Sequence, residues 1–265
     1  MSRIAEKFAA LRAAQERAFV PFVTAGDPDL ETTGELVLAL AENGADLIEI
    51  GIPFSDPSAD GPTIQRSSER ALAGGATLRK TLPLISKLRA QVRVPLVLMG
   101  YANPFYALGA DGCAAACADA GVDGLICPDL PPEEGADLYG AFAKRGVDAV
   151  LMAAPTTTPA RMRMLVHNTR GFLYYVSLTG VTAARTELAA GIEAGIAGIR
   201  ALGDVPVCVG FGISRPEHAR EVGRYADGVA VGSAIVNEIE AAPTPAAAVD
   251  AVAKFARTIK AALRG

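Results

Sequence analysis

The feature that most constrains the fold is a series of eight short apolar runs, each followed by a helix-like stretch. The runs are rich in Val, Ile, Leu and aromatic residues, and they are apolar on both faces, as strands of a helix-covered parallel sheet are. The predicted strands span residues 19–24, 47–51, 96–101, 124–127, 149–153, 172–177, 207–210 and 228–231. This alternation predicts an α/β protein with a parallel sheet.

Helical patterns fill the intervals between the runs, at residues 31–43, 77–90, 112–120, 133–145, 159–167, 189–202 and 216–224, and a last helix at 246–263 is expected to close the ring. Three of them end at Gly44, Gly121 and Gly146, each followed by Ala-Asp or Val-Asp, which indicates a repeated helix-to-strand turn. Eight βα units in 265 residues predict a TIM (β/α)8 barrel. A doubly wound open sheet is the alternative, although it more often has fewer strands and one dominant glycine-rich first turn.

The first residues predict an extra N-terminal helix. Ile4, Phe8 and Leu11 follow helical spacing among charged residues, which favours an amphipathic helix over a signal or transit peptide. We find no linker and no break in composition, so residues 1–265 are expected to form a single domain. No apolar run reaches the roughly 18 residues that a membrane helix needs.

Charge and residue usage narrow the chemistry. The net charge is −4, from 25 basic and 29 acidic residues without a basic stripe, which argues against nucleic-acid binding. The two histidines, His167 and His218, lie in polar contexts, and neither is predicted to be catalytic. The four cysteines do not have zinc-knuckle spacing, so we expect buried thiols in a reducing, cytoplasmic compartment. Carboxylates and backbone groups are therefore favoured over histidine or a metal.

Glycine-rich loops after the last two strands predict a phosphate site. Gly210-x-Gly212-x-Ser214 follows the seventh strand and Gly232-Ser233 follows the eighth, the position at which TIM barrels often bind phosphate. Such turns present free backbone N–H groups at helix N-termini. Because neither loop contains lysine, neutral donors are expected. The alternative is a pair of ordinary tight turns with glycine at positive φ.

Two acids are predicted at the opposite side of the same opening. Glu49 interrupts an apolar strand near its carboxyl end, and a buried carboxylate is unfavourable unless it is paired, neutral or functional. Asp60 follows in a loop of Ser, Pro, Asp and Gly that can move when substrate binds. The alternatives are a glutamate that reaches water or an arginine, and a turn or N-cap aspartate ahead of Pro62. Together the acids predict proton transfer at a carbon–carbon or carbon–oxygen bond of a phosphorylated substrate.

Seven motifs run along the chain in an order and spacing that is similar to the alpha subunit of tryptophan synthase. They are PFVTAGDPD at 21–29, the stretch 47–65, GYANPF at 100–105, PDLPPEE at 128–134, YYVSLTGVT at 174–182, GFGIS at 210–214 and VGSAIV at 231–236. The resemblance implies a lyase that cleaves indole-3-glycerol phosphate to indole and glyceraldehyde 3-phosphate by a retro-aldol reaction. It implies no metal and no organic cofactor in this subunit.

The resemblance also implies residue roles. Glu49 would protonate indole C3 and help to take the proton of the glycerol hydroxyl, and Asp60 would stabilise the positive charge at the indole N–H. Tyr174 would pack near the glutamate, and Thr182 would contact the loop aspartate on closure. The implied indole pocket consists of Phe22, Ile64, Met99, Ile126 and Phe211. The implied phosphate donors are Ala183, Gly212, Gly232 and Ser233.

One position departs from the family pattern. Relatives usually read Gly-Val-Thr-Gly where this chain has Ala183 in the fourth place. Ala183 keeps the N–H donor but loses freedom at positive φ, so lid closure or phosphate affinity is expected to differ while catalysis survives.

The resemblance further implies docking on a pyridoxal-phosphate-dependent β subunit in an α2β2 complex, with indole passing through a tunnel. The matching contact residues are Pro53, Asp56, Asn103, Pro104, Phe105, Asp129 and Pro131. Two rival interpretations are another phosphate-binding barrel, such as indole-3-glycerol phosphate synthase, and a barrel that only regulates a partner. The first would usually need a catalytic lysine on a strand, and no predicted strand carries one.

Overall fold

A computed structural model describes residues 1–176, 185–210 and 212–264. Eight parallel strands close into a barrel in which each strand pairs with the next and the eighth pairs with the first. The strands are β1 Ala18–Thr24, β2 Ile48–Gly51, β3 Leu96–Met99, β4 Gly124–Ile126, β5 Asp148–Ala153, β6 Leu173–Val176, β7 Val207–Gly210 and β8 Gly228–Val231. The predicted TIM barrel is confirmed.

Helices surround the barrel and alternate with its strands. They are α1 Arg3–Ala13, α2 Leu30–Glu42, α3 Pro62–Ala73, α4 Leu78–Leu88, α5 Ala102–Tyr106, α6 Ala110–Ala120, α7 Ala136–Lys144, α8 Pro159–Asn168, α9 Arg185–Arg200, α10 Pro216–Gly223, α11 Ser233–Ala241 and α12 Pro245–Arg264. Three of these, α3, α5 and α11, lie outside the predicted set, and each begins in a loop at the carboxyl end of a strand. None of the helices in the described part of the chain combines the length and apolar character that a membrane crossing requires.

The interior of the barrel is a packed core closed at its amino end by α1. The clustered side chains from the strands, and from the residues directly before β2 and β6, are Ala18, Val20, Leu47, Val97, Ile126, Val150, Phe172, Tyr174, Cys208 and Ala230. Ile4, Phe8 and Leu11 of α1 join this cluster, and the rings of Phe8 and Phe172 lie 5.7 Å apart. Helix α1 covers the amino end of the interior, opposite the carboxyl ends of the strands, where TIM-barrel active sites lie.

The repeated helix-to-strand turn has a structural reason. Gly44, Gly121 and Gly146 have φ values of 105°, 88° and 75°, which glycine adopts without the steric penalty of a Cβ. The carboxylate of Asp46, before β2, accepts the backbone N–H of Phe19 at the start of β1 (2.9 Å).

The same contact recurs around the amino end of the barrel. Asp123 accepts the N–H of Leu96 (2.8 Å), and Asp227 accepts the N–H of Val207 (2.9 Å). These aspartates satisfy strand N–H groups that the sheet leaves open, and they fix the register of neighbouring strands.

Candidate active site

Glu49 lies inside the barrel on β2, between Phe22 of β1 and Val97 of β3 in the strand register. Its exposed fraction is 1%, and its Oε1 has no hydrogen-bond partner among the described residues. Burial raises the pKa of Glu49 to about 8, because an apolar environment disfavours the charged form. The carboxyl group is therefore largely protonated at neutral pH and available as a proton donor.

Asp60 lies at the end of the loop between β2 and α3. Its Oδ2 accepts a hydrogen bond from the Tyr101 hydroxyl (3.1 Å), and its backbone carbonyl accepts one from Gln65 Nε2 (2.9 Å). Burial raises the pKa of Asp60, and the Tyr101 hydrogen bond opposes that rise because it stabilises the ionised form. The N-cap of α3 is Gly61, so Asp60 does not serve as the helix cap that its sequence context allowed.

A small cavity opens beside Asp60 at the carboxyl end of the barrel. Its lining residues are Phe22, Thr24, Gly51, Ile52, Asp60, Ile64, Ser68, Met99, Gly100, Tyr101 and Pro128. Three predicted indole-pocket residues, Phe22, Ile64 and Met99, are thus brought together with the loop acid. Ile126 pairs with Met99 in the sheet but is fully buried beneath the cavity. Phe211 lies outside the described residues.

Apolar side chains form much of the cavity wall. Phe22 comes from β1, Met99 from β3 and Ile64 from α3, so apolar groups face the opening from several sides. Gly51 is required beneath the Phe22 ring, because a Cβ there would lie 2.4 Å from Phe22 Cζ. Apolar walls beside a carboxylate suit an apolar ligand that carries an N–H donor.

Tyr174 lies on β6 with 8% of its surface exposed. Burial raises the pKa of Tyr174, and the charges of Glu49 and Asp60 raise it further. Its hydroxyl packs closely against the backbone of β7: a Cβ on Gly210 would lie 2.0 Å from Tyr174 Oη. Gly210 is thus needed for the tyrosine to fit, a role independent of any phosphate contact.

The predicted phosphate loops lie at the same end of the barrel. Gly232 is the N-cap residue of α11, and a Cβ built on it would lie 3.6 Å from Phe22 Cβ and 3.8 Å from Ile64 Cδ1. The helix therefore begins beside the cavity wall. The Gly232 carbonyl accepts the N–H groups of Ile235 and Val236, and the N–H of Ser233 belongs to the first turn, where helices lack internal partners.

The loop after β7 carries the other predicted donor. Gly212 has φ of 76°, and a Cβ built on it would meet no atom of the described residues within 4 Å. Its backbone conformation favours glycine, and no described side chain covers it. Two further predicted site residues, Thr182 and Ala183, lie outside the described residues.

The predicted partner-contact residues differ in their accessibility. Asp56, Asn103 and Asp129 are exposed and Pro104 and Pro131 are half-buried, whereas Pro53 and Phe105 are buried. Phe105 is fully enclosed in the core between strands and helices, so its side chain supports the rim from inside.

Tyr101 was not among the predicted site residues, although its side chain contacts Asp60 and lines the cavity. The signal available in the sequence is a hydroxyl-bearing aromatic residue at the carboxyl end of the predicted third strand. In the part of the chain that the structure describes, no group of three or more His, Cys, Asp or Glu residues could hold a metal ion. The arrangement offers two acids, an apolar cavity and backbone donors.

Comparisons with known proteins agree on one family. A family model described as tryptophan synthase alpha chain matches residues 8–264. A tryptophan synthase alpha chain from Geobacter sp. (strain M21) is 53% identical over 240 residues, covering 91% of this chain and 90% of the relative. One from Burkholderia pseudomallei (strain 1106a) is 49% identical over 267 residues, covering 100% and 98%.

Solved structures give the same result. Tryptophan synthase subunit alpha from Legionella pneumophila superposes with a TM-score of 0.91 at 38% identity, covering 100% of this chain and 99% of that one. A chain of M. tuberculosis tryptophan synthase in its aminoacrylate-bound form has a TM-score of 0.89 at 33% identity, with 100% of both chains covered.

Proposed function

This chain belongs to the tryptophan synthase alpha chain family and is a lyase of tryptophan biosynthesis, and we propose that Glu49 and Asp60 carry its cleavage of indole-3-glycerol phosphate. The products of this alpha reaction are indole and glyceraldehyde 3-phosphate. The observation that carries the proposed roles is a buried glutamate with a pKa near 8, located below a cavity that Asp60 borders.

The reaction needs one proton delivered and one removed. Glu49 donates its proton to indole C3, which converts the ring to a cation with its charge on the ring nitrogen. A proton leaves the hydroxyl on the adjacent glycerol carbon, that carbon becomes a carbonyl, and the carbon–carbon bond breaks. The bonding electrons return to the ring and restore neutral indole.

Glu49 suits both proton transfers. With a pKa of about 8 it is mainly protonated at pH 7 in the free pocket, so the acid form needed for the first step is the resting form. Once it has given up its proton, an unsolvated carboxylate is a strong base, which favours removal of the hydroxyl proton.

Asp60 acts as an anion at the ring nitrogen. Positive charge develops there in the transition state, and a fixed carboxylate in a site of low polarity stabilises such charge more strongly than water does. The Tyr101 hydrogen bond supports the ionised form of Asp60.

The phosphate is proposed to bind at the first turn of α11 and at the β7 loop, through the backbone N–H groups of Gly232, Ser233 and Gly212, with Ala183 as a further donor. The backbone at Gly212, which no described side chain covers, and the position of Gly232 beside the cavity wall support this assignment. A helix N-terminus favours an anion without needing a lysine.

The partner is proposed to be a tryptophan synthase β subunit, in an α2β2 assembly. The exposed side chains of Asp56, Asn103 and Asp129 lie on the segments that follow β2, β3 and β4, at the same end of the barrel as the cavity, so a partner docked there would face the site at which indole forms. We further propose one domain over residues 1–265 and a cytoplasmic location, which four buried free thiols support.

The proposal is tested by measuring indole release from indole-3-glycerol phosphate. We expect Asp60→Asn to lower kcat strongly with a modest change in KM, since its charge acts on the transition state. The reverse pattern, a large KM change at unchanged kcat, would reassign Asp60 to ground-state binding.

The same assay tests the partner. A cognate β subunit is expected to accelerate indole release by the full-length chain, and equal rates with and without it would contradict coupling. Indole-3-glycerol phosphate synthase, the rival barrel, is not favoured, since the family match opposes it and none of the eight strands carries a lysine.

A further inference from the structure

We propose that Tyr101 is the positioning residue that holds the Asp60 carboxylate at the cavity, where its charge stabilises the cationic indole ring. The inference rests on the proposed function of Asp60 and adds a residue to it. Tyr101 acts through Asp60 and exchanges no proton with the substrate.

The Tyr101 hydroxyl makes two hydrogen bonds to consecutive residues of the β2–α3 loop. It accepts the backbone N–H of Ala59 (2.9 Å) and donates to Oδ2 of Asp60 (3.1 Å). One oxygen therefore fixes both the backbone before Asp60 and the rotamer of its side chain. A phenol uses its donor and acceptor capacity together in this arrangement.

The tyrosine is itself held rigidly. Its exposed fraction is 4%, and its ring stacks on Phe54 with centroids 5.2 Å apart and planes 29° apart. On one side, the Gly100 N–H donates to the Ile126 carbonyl (3.1 Å); on the other, the Ala102 N–H donates to Asp129 Oδ1 (2.9 Å). A hydroxyl on such an anchor selects one position for Asp60.

The loop has few other means of fixing that carboxylate. The remaining hydrogen bonds of Asp60 are through its backbone: its N–H donates to the Pro57 carbonyl (3.1 Å), and its carbonyl accepts from Gln65 Nε2 (2.9 Å). Within the described residues, Tyr101 supplies the one hydrogen bond to the Asp60 side chain. Misplacement of a catalytic group by about 1 Å lowers rates on the order of a hundredfold.

The effect of the Tyr101 hydroxyl on the pKa of Asp60 can be followed in the pH dependence of the rate. Other titratable groups on this side of the barrel are Asp56 on the same loop, Glu49 on β2 and Tyr174 on β6. The charge of Asp129 raises the pKa of Tyr101. Among the groups facing Asp60, the Tyr101 hydroxyl lowers its pKa while burial raises it. Loss of the hydroxyl raises the pKa of Asp60, so the ionised form is lost at a higher pH as the solution is acidified.

The decisive experiment compares Tyr101→Phe with wild type in the full-length chain, using indole release from indole-3-glycerol phosphate between about pH 5 and pH 9. The ring and its stacking on Phe54 are kept, and only the hydroxyl is removed. We expect kcat to fall by about tenfold or more, KM to change by less than about threefold, and the acid limb of the kcat profile to move to higher pH.

Tyr106→Phe is the matched control. The Tyr106 hydroxyl also donates to an aspartate, Asp137 Oδ1 (2.7 Å), but at an exposed position outside the cavity. We expect this variant to keep the wild-type kcat and pH profile. An acid limb that does not move in Tyr101→Phe would overturn the proposal.

A double-mutant cycle separates positioning from a general structural effect. In an Asp60→Asn background, Tyr101→Phe should lower kcat by no more than about twofold, because its effect requires the carboxylate. Equal losses in both backgrounds would overturn the inference. Wild-type turnover by Asp60→Asn alone, with Tyr101 intact, would instead refute the proposed role of Asp60.

Discussion

At position 49 a carboxyl group lies in an apolar interior with 1% of its surface exposed, and its pKa is raised to about 8 from 4.5. A raised pKa in the folded state means that the folded protein binds the proton more tightly than the unfolded chain does. Well below pH 4.5 both states are protonated, so the titration of Glu49 does not change the free energy of unfolding. Between pH 4.5 and pH 8 the unfolded chain loses the proton first, and folding becomes less favourable by about 1.4 kcal/mol per pH unit.

Glu49→Gln should therefore gain stability relative to wild type as pH rises. The amide is similar in shape and stays neutral, so its difference in unfolding temperature from wild type is expected to grow from pH 5 to pH 8. Thermal unfolding across that range measures it. Glu35→Gln, at an exposed position on α2, is the control and should show no such trend. A pH-independent difference for Glu49→Gln would show that Glu49 has an ordinary pKa.

The catalytic profile should carry the same signature. If protonated Glu49 is the proton donor, kcat/KM falls as pH rises through about 8, and it falls again on the acid side as Asp60 is protonated. Stopped-time indole assays at constant ionic strength give the profile. A rate that keeps rising to pH 10 would exclude Glu49 as the acid.

Sequence was informative about single residues where the pattern itself was unusual. Glu49 could be predicted as a site residue, because a carboxylate within an apolar strand is unfavourable in most environments. Tyr101 was not marked, since its function depends on which loop folds over its hydroxyl, and that contact joins residues 41 positions apart. Phe105 matched a contact surface by motif, yet it is buried, because a Pro-rich loop sequence does not reveal which side of the loop faces the core.

Among the elements, α3 connects the two ends of the proposed substrate site. It starts two residues after Asp60 and carries Ile64 in the cavity wall. Arg70 of this helix joins it to the rest of the barrel. The guanidinium binds both carboxylate oxygens of Asp27 (2.8 Å each) and reaches Glu240 of α11 (3.0 Å). Arg66 binds Glu240 as well (2.8 and 2.9 Å), so α3, with the proposed indole wall, and α11, at the proposed phosphate end, are joined by two arginines, of which only Arg70 also pairs with Asp27.

Arg70→Met should destabilise the protein by about 3 kcal/mol, because it leaves the carboxylate of Asp27, with 1% exposure, without its ionic partner. Denaturant unfolding measures this change. Arg66→Met removes an exposed pair with Glu240 from the same helix and should change the midpoint far less. Equal effects of the two substitutions would contradict the proposed fastening of α3.

The eight strands were predictable because burial on both faces leaves a continuous apolar run that sequence displays directly. The helices α3, α5 and α11 were not. Helix α5 has only five residues and includes a proline, and α3 is largely polar with just Ser67, Ser68 and Ala71 buried. Such helices are fixed by contacts with loops and neighbouring helices more than by an apolar stripe.

At the scale of the molecule, the last helix completes the ring. Lys260 of α12 has 5% of its side chain exposed and binds Asp46 (2.8 Å), Glu16 (3.0 Å) and the Arg17 carbonyl (3.3 Å). These residues precede β1 and β2, so α12 ties the C-terminal part of the chain to the first strands. This is the arrangement expected if residues 1–265 form one cooperative unit.

Lys260→Met should lower stability by about 3 kcal/mol and keep a single unfolding transition, since within the described residues the remaining ion pair of Asp46 is a longer one with Lys7 (3.8 Å). Arg264→Met, which removes a pair at an exposed side chain, should have little effect. Two separate transitions in calorimetry would contradict the single-domain proposal.

The central claim is that a neutral Glu49 delivers the proton that starts carbon–carbon cleavage. Single-turnover release of indole from indole-3-glycerol phosphate by Glu49→Gln tests it most directly, alongside the affinity of that variant for glycerol 3-phosphate as a probe of the phosphate site. We expect cleavage to be abolished while the phosphate ligand binds as in wild type. Indole release within about tenfold of wild type would contradict the account.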